Sequence, residues 1–295
     1  MPVRIAWRRS WSERIGLRVS GSSRRSLPPP RVRRRPAAPG RQPTPRTPPK
    51  IPVNPAQTIQ YLDWTGPDPA TNLAADEALL LACEAGGPET LRCWEPSTPF
   101  VVLGRGNRLE REVNLAACHR RAIPVLRRIS GGGAVVQLPG TLNYALILRT
   151  DRPGLETIAR TNRSILERVA SALTPLLGRP VVIRGHTDLC LGHHKFAGNA
   201  QRRLRRAVLF HGSILLNANL DLLAELLPHP SREPDYRQRR PHRDFLLNLQ
   251  LPAAVVRTAL RDAWNAVTPA KPPPATLLQD LVRQRYGRAE WNTRL

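Results

Sequence analysis

The sequence predicts an α+β fold built on a mostly antiparallel sheet. Strand-like runs come in pairs and triplets joined by tight Pro/Gly turns. Helix-like runs fall between these groups without the regular alternation that marks a doubly wound sheet. One long stretch, 155–177, has the spacing of an amphipathic helix, with Leu155, Ile158, Ile165, Leu166, Val169 and Leu173 on one face. At 295 residues and 41% hydrophobic, the chain is long enough for a sizeable core.

Taken in order, residues 1–56 come first, with 12 of the 31 prolines, fourteen Arg or Lys and a single acid, Glu13. Such a composition cannot bury enough apolar surface to offset chain entropy and is expected to be disordered. It resembles an Arg-rich, acid-poor organellar transit peptide. An RNA-binding tail would want aromatic residues among the arginines of 24–46, and there are none. The expected folded domain is 57–295. It holds 32 basic and 21 acidic residues, so much of the overall +24 belongs to the tail.

"TIQYLDW" reads as a strand, and "TNLAADEALLLACEA" (71–85) as a helix with acids in its early turns. Residues 90–107 read as two strands around Glu-Pro-Ser-Thr-Pro, and 109–122 as one helix. Residues 124–149 read as strand, Gly-rich loop, strand, Pro-Gly turn and strand. After the 155–177 helix come three short strands, "PVVIRG", "TDLCLG" and "RAVLFHGSILL", around a lysine-bearing segment. A helix at 219–227, a Pro/Arg-rich stretch at 228–244, and helices at 253–267 and 275–286 follow. No apolar run reaches the roughly 18 residues of a membrane span. Cys83, Cys93, Cys118 and Cys190 show no CxxC pair, as expected of free thiols in a reducing, cytoplasmic setting. His186, Cys190, His193 and His194 match no common zinc spacing, so no metal site is expected.

Two segments carry chemistry. "RRISGGGAVV" (127–136) sets three glycines between β-type runs, where they forgo packing and let amides approach a ligand closely. Arg127 and Arg128 add charge for a phosphate or carboxylate. Walker and dinucleotide-binding patterns both fail here. The second segment is "HTDLCLGHHKFAGNAQRR" (186–203). Only three of the 46 basic residues are lysine, and Lys195 is the one in the patterned region. Lysine is a compact point charge and arginine a planar fork, so a retained lysine signals a site that needs the former. In "FHGSILL", His211 fits either a core position or a wall of the same pocket.

Together these residues resemble the lipoate–protein ligase family, over about 58–250 and in the same order. "TNLAADEALL" is similar to its first helix, "RRISGGGAV" to its substrate loop, and "TDL…HHKFAGNAQRR…FHGSILL" to its Asn-Asp-Leu, Lys-x-x-Gly-x-Ala-Gln and His-His-Gly strands. The resemblance implies the catalytic fold shared with biotin ligases and related to class II tRNA synthetases. It implies an ATP- and Mg2+-dependent enzyme that forms lipoyl-adenylate and passes the acyl group to a lysine of a lipoyl domain, on a 2-oxoacid dehydrogenase E2 or a glycine-cleavage H-type protein. A membrane or nucleic-acid partner is not implied. Lys195 would be the catalytic lysine and Arg128 the phosphate-side arginine. Ser130, Gly131, Gly132, Gly133, Ala134, Val135 and Val136 would wall the lipoate and adenine, and Asp188 would bond the nucleotide. Gly198, Asn199, Ala200 and His211 complete the expected binding set.

Three departures stand beside the resemblance. Val135-Val136-Gln137-Leu138 replaces the usual Val-Tyr-His-Asp, removing a His and an Asp from the nucleotide edge. Thr187 replaces the usual Asn. Only about 45 residues follow Leu251, so the family's accessory domain is expected to be absent or supplied as a separate subunit. The alternatives are an octanoyl- or lipoyl-transferase on the same scaffold, whose acyl-carrying cysteine would fall near Val181–Arg184, or a non-catalytic lipoyl- or nucleic-acid-binding protein.

Overall fold

The computed structural model describes residues 58–294, and the tail expected to be disordered lies outside them. The elements run β1 (Ile59–Asp63), α1 (Pro69–Glu84), β2 (Glu89–Trp94), β3 (Phe100–Leu103), α2 (Leu109–Glu112), α3 (Leu115–Arg120), β4 (Val125–Arg127), β5 (Val135–Gln137) and β6 (Thr141–Arg149). They continue as α4 (Ile158–Leu177), β7 (Val181–Arg184), β8 (Asp188–Leu191), β9 (His194–Arg203), β10 (Ala207–Leu215), α5 (Leu220–Leu226), α6 (His242–Phe245), α7 (Ala253–Ala263), β11 (Thr268–Pro269), α8 (Ala275–Leu281) and α9 (Ala289–Asn292).

Eight strands form one sheet in the order β11-β1-β2-β6-β10-β9-β8-β7, and β4-β3-β5 form a small second sheet. Pairing from β2 across to β7 is antiparallel, as expected. The parallel pairs are β1 with β2 and β11, and β3 with β4.

The central strands are buried on both faces, and their alternation decides what packs where. Leu142, Tyr144, Leu146 and Leu148 of β6 and Val208, Phe210 and Ile214 of β10 face the cluster that holds Ile165, Leu166, Val169 and Leu173 of α4 and Val256 and Leu260 of α7. The intervening Ala145, Ile147, Ala207 and Leu209 face α1 and α8. The α1 side of that contact is small (Ala74, Ala75, Ala78), which lets the helix lie close to the sheet. Asp68 caps α1, its side chain accepting from Thr71 N, and Pro69 opens the first turn. Thr157 caps α4, which ends at Gly178 with φ 60°.

Several elements differ from expectation. The helix expected over 253–267 ends at Ala263, beyond which Asn265 takes φ 47°, and the one expected over 275–286 widens into a π-helical turn after Leu281. The helix expected over 109–122 is two short ones, because Asn114 leaves helical geometry and its side chain caps α3 at Ala117 N (3.1 Å). The lysine segment, expected between strands, is itself the long strand β9.

Leu173 is fully buried in the α4 face, whereas Arg163 pairs with Glu167 on its exposed side. Leu173→Ala is expected to cost about 2–5 kcal/mol in urea unfolding, and Arg163→Ala to leave the unfolding midpoint nearly unchanged.

Candidate functional site

β9 meets β8 with a bulge. Leu189 pairs with Ala197 and Cys190 with Lys195, so Phe196 is the extra residue. Phe196 and Ala197 both turn into the core, while Lys195 and Gly198 share the opposite, pocket face. Bulges re-aim side chains in this way. Lys195 Nζ lies 2.7 Å from Asp188 Oδ1. A Cβ at Gly198 would stand 2.9 Å from Nζ, so any larger residue there would force the ammonium to shift.

Tyr236, in the 3-10 turn Asp235–Arg237, donates to Asp188 Oδ2 at 2.7 Å. Asp188 is thus held by Lys195 on one oxygen and by Tyr236 on the other. Burial, then the Asp188 charge, push the Tyr236 phenol far above its ordinary value, so it remains a donor. In the sequence Tyr236 stands out with Arg237, His242 and Phe245 in a patterned basic stretch, 234–249, read as a surface for an acidic acceptor domain, and nothing there points to Asp188 as its partner.

Lys195 and Asp188 open on a cavity of about 180 Å3 whose other walls come from α1 (Leu73, Asp76), β2 (Trp94), β3 (Val102), β5, β6, β10 and the glycine loop. Asn199 of β9 donates to Thr187 O (2.7 Å) and accepts from Tyr144 Oη (2.5 Å), and Thr187 Oγ1 donates to Asn199 O (2.7 Å). Gln137, Asn143 and Ser213 close a second network. Gln137 Nε2 donates to Asn143 Oδ1 and Ser213 Oγ, Asn143 Nδ2 donates back to Gln137 Oε1, and Ser213 Oγ donates to Asn143 Oδ1. Gln137 and its partners therefore make a neutral wall where the sequence departs from Val-Tyr-His-Asp.

The glycine loop is held by Arg128, which also lines the cavity, as expected of a phosphate-side arginine. Arg128 is buried and donates to Ser130 Oγ, Val102 O, Gly131 O and Gly133 O. Burial pulls its guanidinium down to about 10, still cationic at neutral pH. Gly132 takes φ 87°, a left-handed value that favours glycine. Of the expected loop residues, Gly132, Gly133, Ala134 and Val135 line the cavity with Ala200 and His211. Val136 packs into the small-sheet core, Ser130 is fully buried, and Gly131 lines a neighbouring groove.

His211 joins this loop to the body of the protein. Its Nε2 lies 2.7 Å from Ser130 Oγ and its Nδ1 lies 3.3 Å from Asp76 Oδ2. The order Asp-His-Ser resembles a nucleophilic triad. Ser130, however, is 0% exposed and already accepts from Arg128, so the relay braces the loop rather than presenting a nucleophile. Asp76 in turn pairs with the fully buried Arg92 at 2.6 Å. Arg92 also donates to Asn72 and Trp64 O and lies 5.3 Å from the ring centroids of both Trp64 and Trp94.

All four cysteines are buried, and none lines the cavity. Burial pushes the Cys83 thiol up to about 11 and Cys93 to about 12, and raises Cys118 and Cys190. β7, where a transferase cysteine would be sought, has none.

The sequence profile of the lipoyl protein ligase A/B catalytic domain matches residues 68–255, nearly two thirds of the chain. The chain belongs to this family. Among curated relatives, the octanoyltransferase LipM of Moorella thermoacetica is 31% identical over 271 residues, covering 80% of this chain and 98% of that one. Two solved structures share the fold at 24% identity. One is a bi-partite lipoate protein ligase described with its E2 lipoyl domain, from Thermoplasma acidophilum (TM-score 0.69, covering 80% of this chain and 96% of that one). The other is lipoate-protein ligase A bound with ATP (TM-score 0.67, 80% and 99%). Like these relatives, this lipoyl protein ligase family member is a mixed α+β chain with a mostly antiparallel sheet. No helix among its described residues is long and apolar enough to cross a membrane.

Burial alone would push the Asp76 carboxyl up, but Arg92 and His211 outweigh it and hold it below its ordinary value of 3.8. A depressed folded-state pKa means that the unfolded chain takes the proton first. The stabilisation is therefore complete above about pH 4 and lost as pH falls through the folded value. Asp76→Asn is expected to cost about 3–5 kcal/mol at pH 7, because Arg92 is left buried and unpaired. The gap to wild type should narrow in urea melts taken below pH 4.

Proposed function

We propose that the protein activates lipoate, or octanoate, with ATP and transfers the acyl group to a lysine of a lipoyl domain. The observation that carries this reading is the Lys195–Asp188 pair facing a cavity with no cysteine in its walls. A thioester route needs an accessible thiolate, and every thiol here is buried and harder to ionise than usual. An adenylate route needs no nucleophilic side chain, only positioning and charge stabilisation.

In this reading the acyl carboxylate oxygen attacks the α-phosphorus of ATP, the bond to the pyrophosphate oxygen breaks, and acyl-adenylate forms. The acceptor amine then attacks the acyl carbon, AMP leaves and the amine gives up a proton. Lys195 sets its ammonium against the α-phosphate and the acyl oxygen, and Asp188, fixed by Tyr236, aims it. The backbone of Gly132–Val135 forms the close wall for the ligands, and Arg128, in the same cavity wall, shapes it through the carbonyls of Gly131 and Gly133. The Gln137–Asn143–Ser213 wall offers neutral polar groups to the nucleotide in place of an ionisable His and Asp. Mg2+ is carried by ATP as part of the substrate. Among the described residues no group of three or more His, Cys, Asp or Glu is placed to hold a metal. The ATP- and lipoyl-domain-bearing relatives support the two substrates, and 57–295 is proposed to be the catalytic domain, alone or with a separate accessory subunit.

A second reading, direct octanoyl transfer from an octanoylated carrier protein, is favoured by the octanoyltransferase relatives. Mass spectrometry of a lipoyl domain separates the two. The ligase reading expects a mass gain with ATP, Mg2+ and free lipoate or octanoate. A gain only with the octanoylated carrier would replace it with the transferase reading.

Lys195→Arg should lower the acyl-dependent exchange of labelled pyrophosphate into ATP by about 10²-fold or more, with an unchanged circular dichroism spectrum. Near-normal exchange would remove Lys195 from its role. Cys190→Ala, which alters the thiol opposite Lys195, should leave exchange and transfer near wild type. Loss of transfer alone would point to a thioester.

A further inference from the structure

Beside the pocket runs a wider open groove of about 600 Å3. Among the described residues its walls hold Arg105, Arg202, Arg203 and Arg294, and no carboxylate side chain. Elsewhere in the fold several buried or half-buried arginines have acidic partners, as in Arg92–Asp76, Arg152–Glu89 and Arg285–Glu77, while Arg127 and Arg128 are saturated by carbonyls. Among the described residues, the Arg105 and Arg202 guanidiniums have no hydrogen bond or ion pair. Arg203 reaches only Thr161 Oγ1, at 3.4 Å. Arg294 lies 3.6 Å over the Trp291 ring and reaches Arg105 O at 3.4 Å. Burial, then the neighbouring charges of Arg105 and Arg285, pull the Arg294 guanidinium below its ordinary value. These cations repel one another, and an anion in the groove would relieve the repulsion.

The groove and the pocket share their boundary. Gly131 lines the groove while Gly132 and Gly133 line the pocket, and on β9 Ala200 lines the pocket while Gln201, Arg202 and Arg203 line the groove. A strand rises about 3.3 Å per residue, so Arg202 lies roughly 7 Å along β9 from Ala200. That is about the reach of a lysine side chain. A protein resting on the groove would hold its own lysine at the pocket mouth.

We infer that this arginine groove is the docking surface for the acceptor protein, and that the acceptor presents acidic side chains around its target lysine. This rests on the reading that the chain acylates a protein lysine. The arginines are spread along an open channel on β9, the Arg105 turn and the Arg294 segment, which fits dispersed carboxylates better than one phosphate cluster. A single-stranded nucleic acid would want a bare aromatic face for stacking. Trp291, the aromatic beside the groove, is covered by Arg294 and Arg285.

The test compares Arg105→Glu/Arg202→Glu and the milder Arg105→Gln/Arg202→Gln with the wild-type full chain, each checked by thermal melt. Three quantities are read: acyl-dependent ATP–pyrophosphate exchange, the KM for a lipoyl domain, and the salt dependence of that KM. The inference expects an acceptor KM raised about tenfold or more by the reversal and less by the neutral pair. It also expects exchange within about twofold of wild type, a flatter salt response, and recovery when acids flanking the acceptor lysine are changed to Lys. Parallel loss of exchange and transfer would assign the groove to the nucleotide phosphates. An unchanged acceptor KM would remove docking from this face, and if oligonucleotide binding alone were lost, the groove would be a nucleic-acid site. Each of these results overturns the inference. A wild-type chain that acylates no lipoyl domain, from ATP and free acid or from an octanoylated carrier, would bring down the functional reading and the inference together.

Discussion

A fully buried arginine needs a partner, and the site is organised around the partner of Arg92. An unpaired guanidinium inside a protein costs several kcal/mol, so Asp76 must stay ionised and must stay where it is. That fixes α1 against β2. It also leaves the second Asp76 oxygen facing His211 on β10, on the far side of β6. His211 then reaches Ser130, Ser130 accepts from Arg128, and Arg128 holds the carbonyls of the glycine loop. A loop rich in glycine has little means of holding its own shape. Here its shape is set by a chain of hydrogen bonds that begins two strands away.

The opposite wall is built on another device. The bulge in β9 sends two consecutive residues to the core and frees Lys195 and Gly198 to face the cavity together. The lysine meets an aspartate whose other oxygen is already taken by Tyr236. One wall is thus rigid and backbone-like, and the other carries a single oriented cation. Between them lies the amide and hydroxyl network of Gln137, Asn143 and Ser213, which carries no ionisable group.

Much of this was legible in the sequence, and the gaps have physical causes. The antiparallel sheet, the α4 face apart from the exposed Ile158, the glycine loop and Lys195 follow from local pattern and residue chemistry, and Asp188 from the family resemblance. β9 escaped because alternation is the mark of a strand, and Lys-Phe-Ala-Gly breaks it at the bulge. The 109–122 helix was overextended because Asn114 caps through a side chain whose conformation is not written in periodicity. Arg92 looked like one of 43 arginines, and Asp76 like an acid suited to an early helical turn. Their pairing depends on packing α1 on the sheet, which no local window contains. The same holds for Tyr236, which meets Asp188 from 48 residues away. Of the loop residues picked from sequence, Val136 and Ser130 support the wall from behind, a distinction that requires knowing which way each residue of the turn points.

The burial of all four thiols has a practical consequence. An enzyme that carries acyl groups on sulfur is silenced by peroxide or by alkylating agents, because the attacked atom must be open to its substrate. On this folded chain such reagents find no exposed sulfur among the described residues. Their uptake therefore measures how often the structure opens rather than whether the site is occupied. Four natural cysteines, spread over α1, β2, α3 and β8, make the molecule a reporter of its own unfolding.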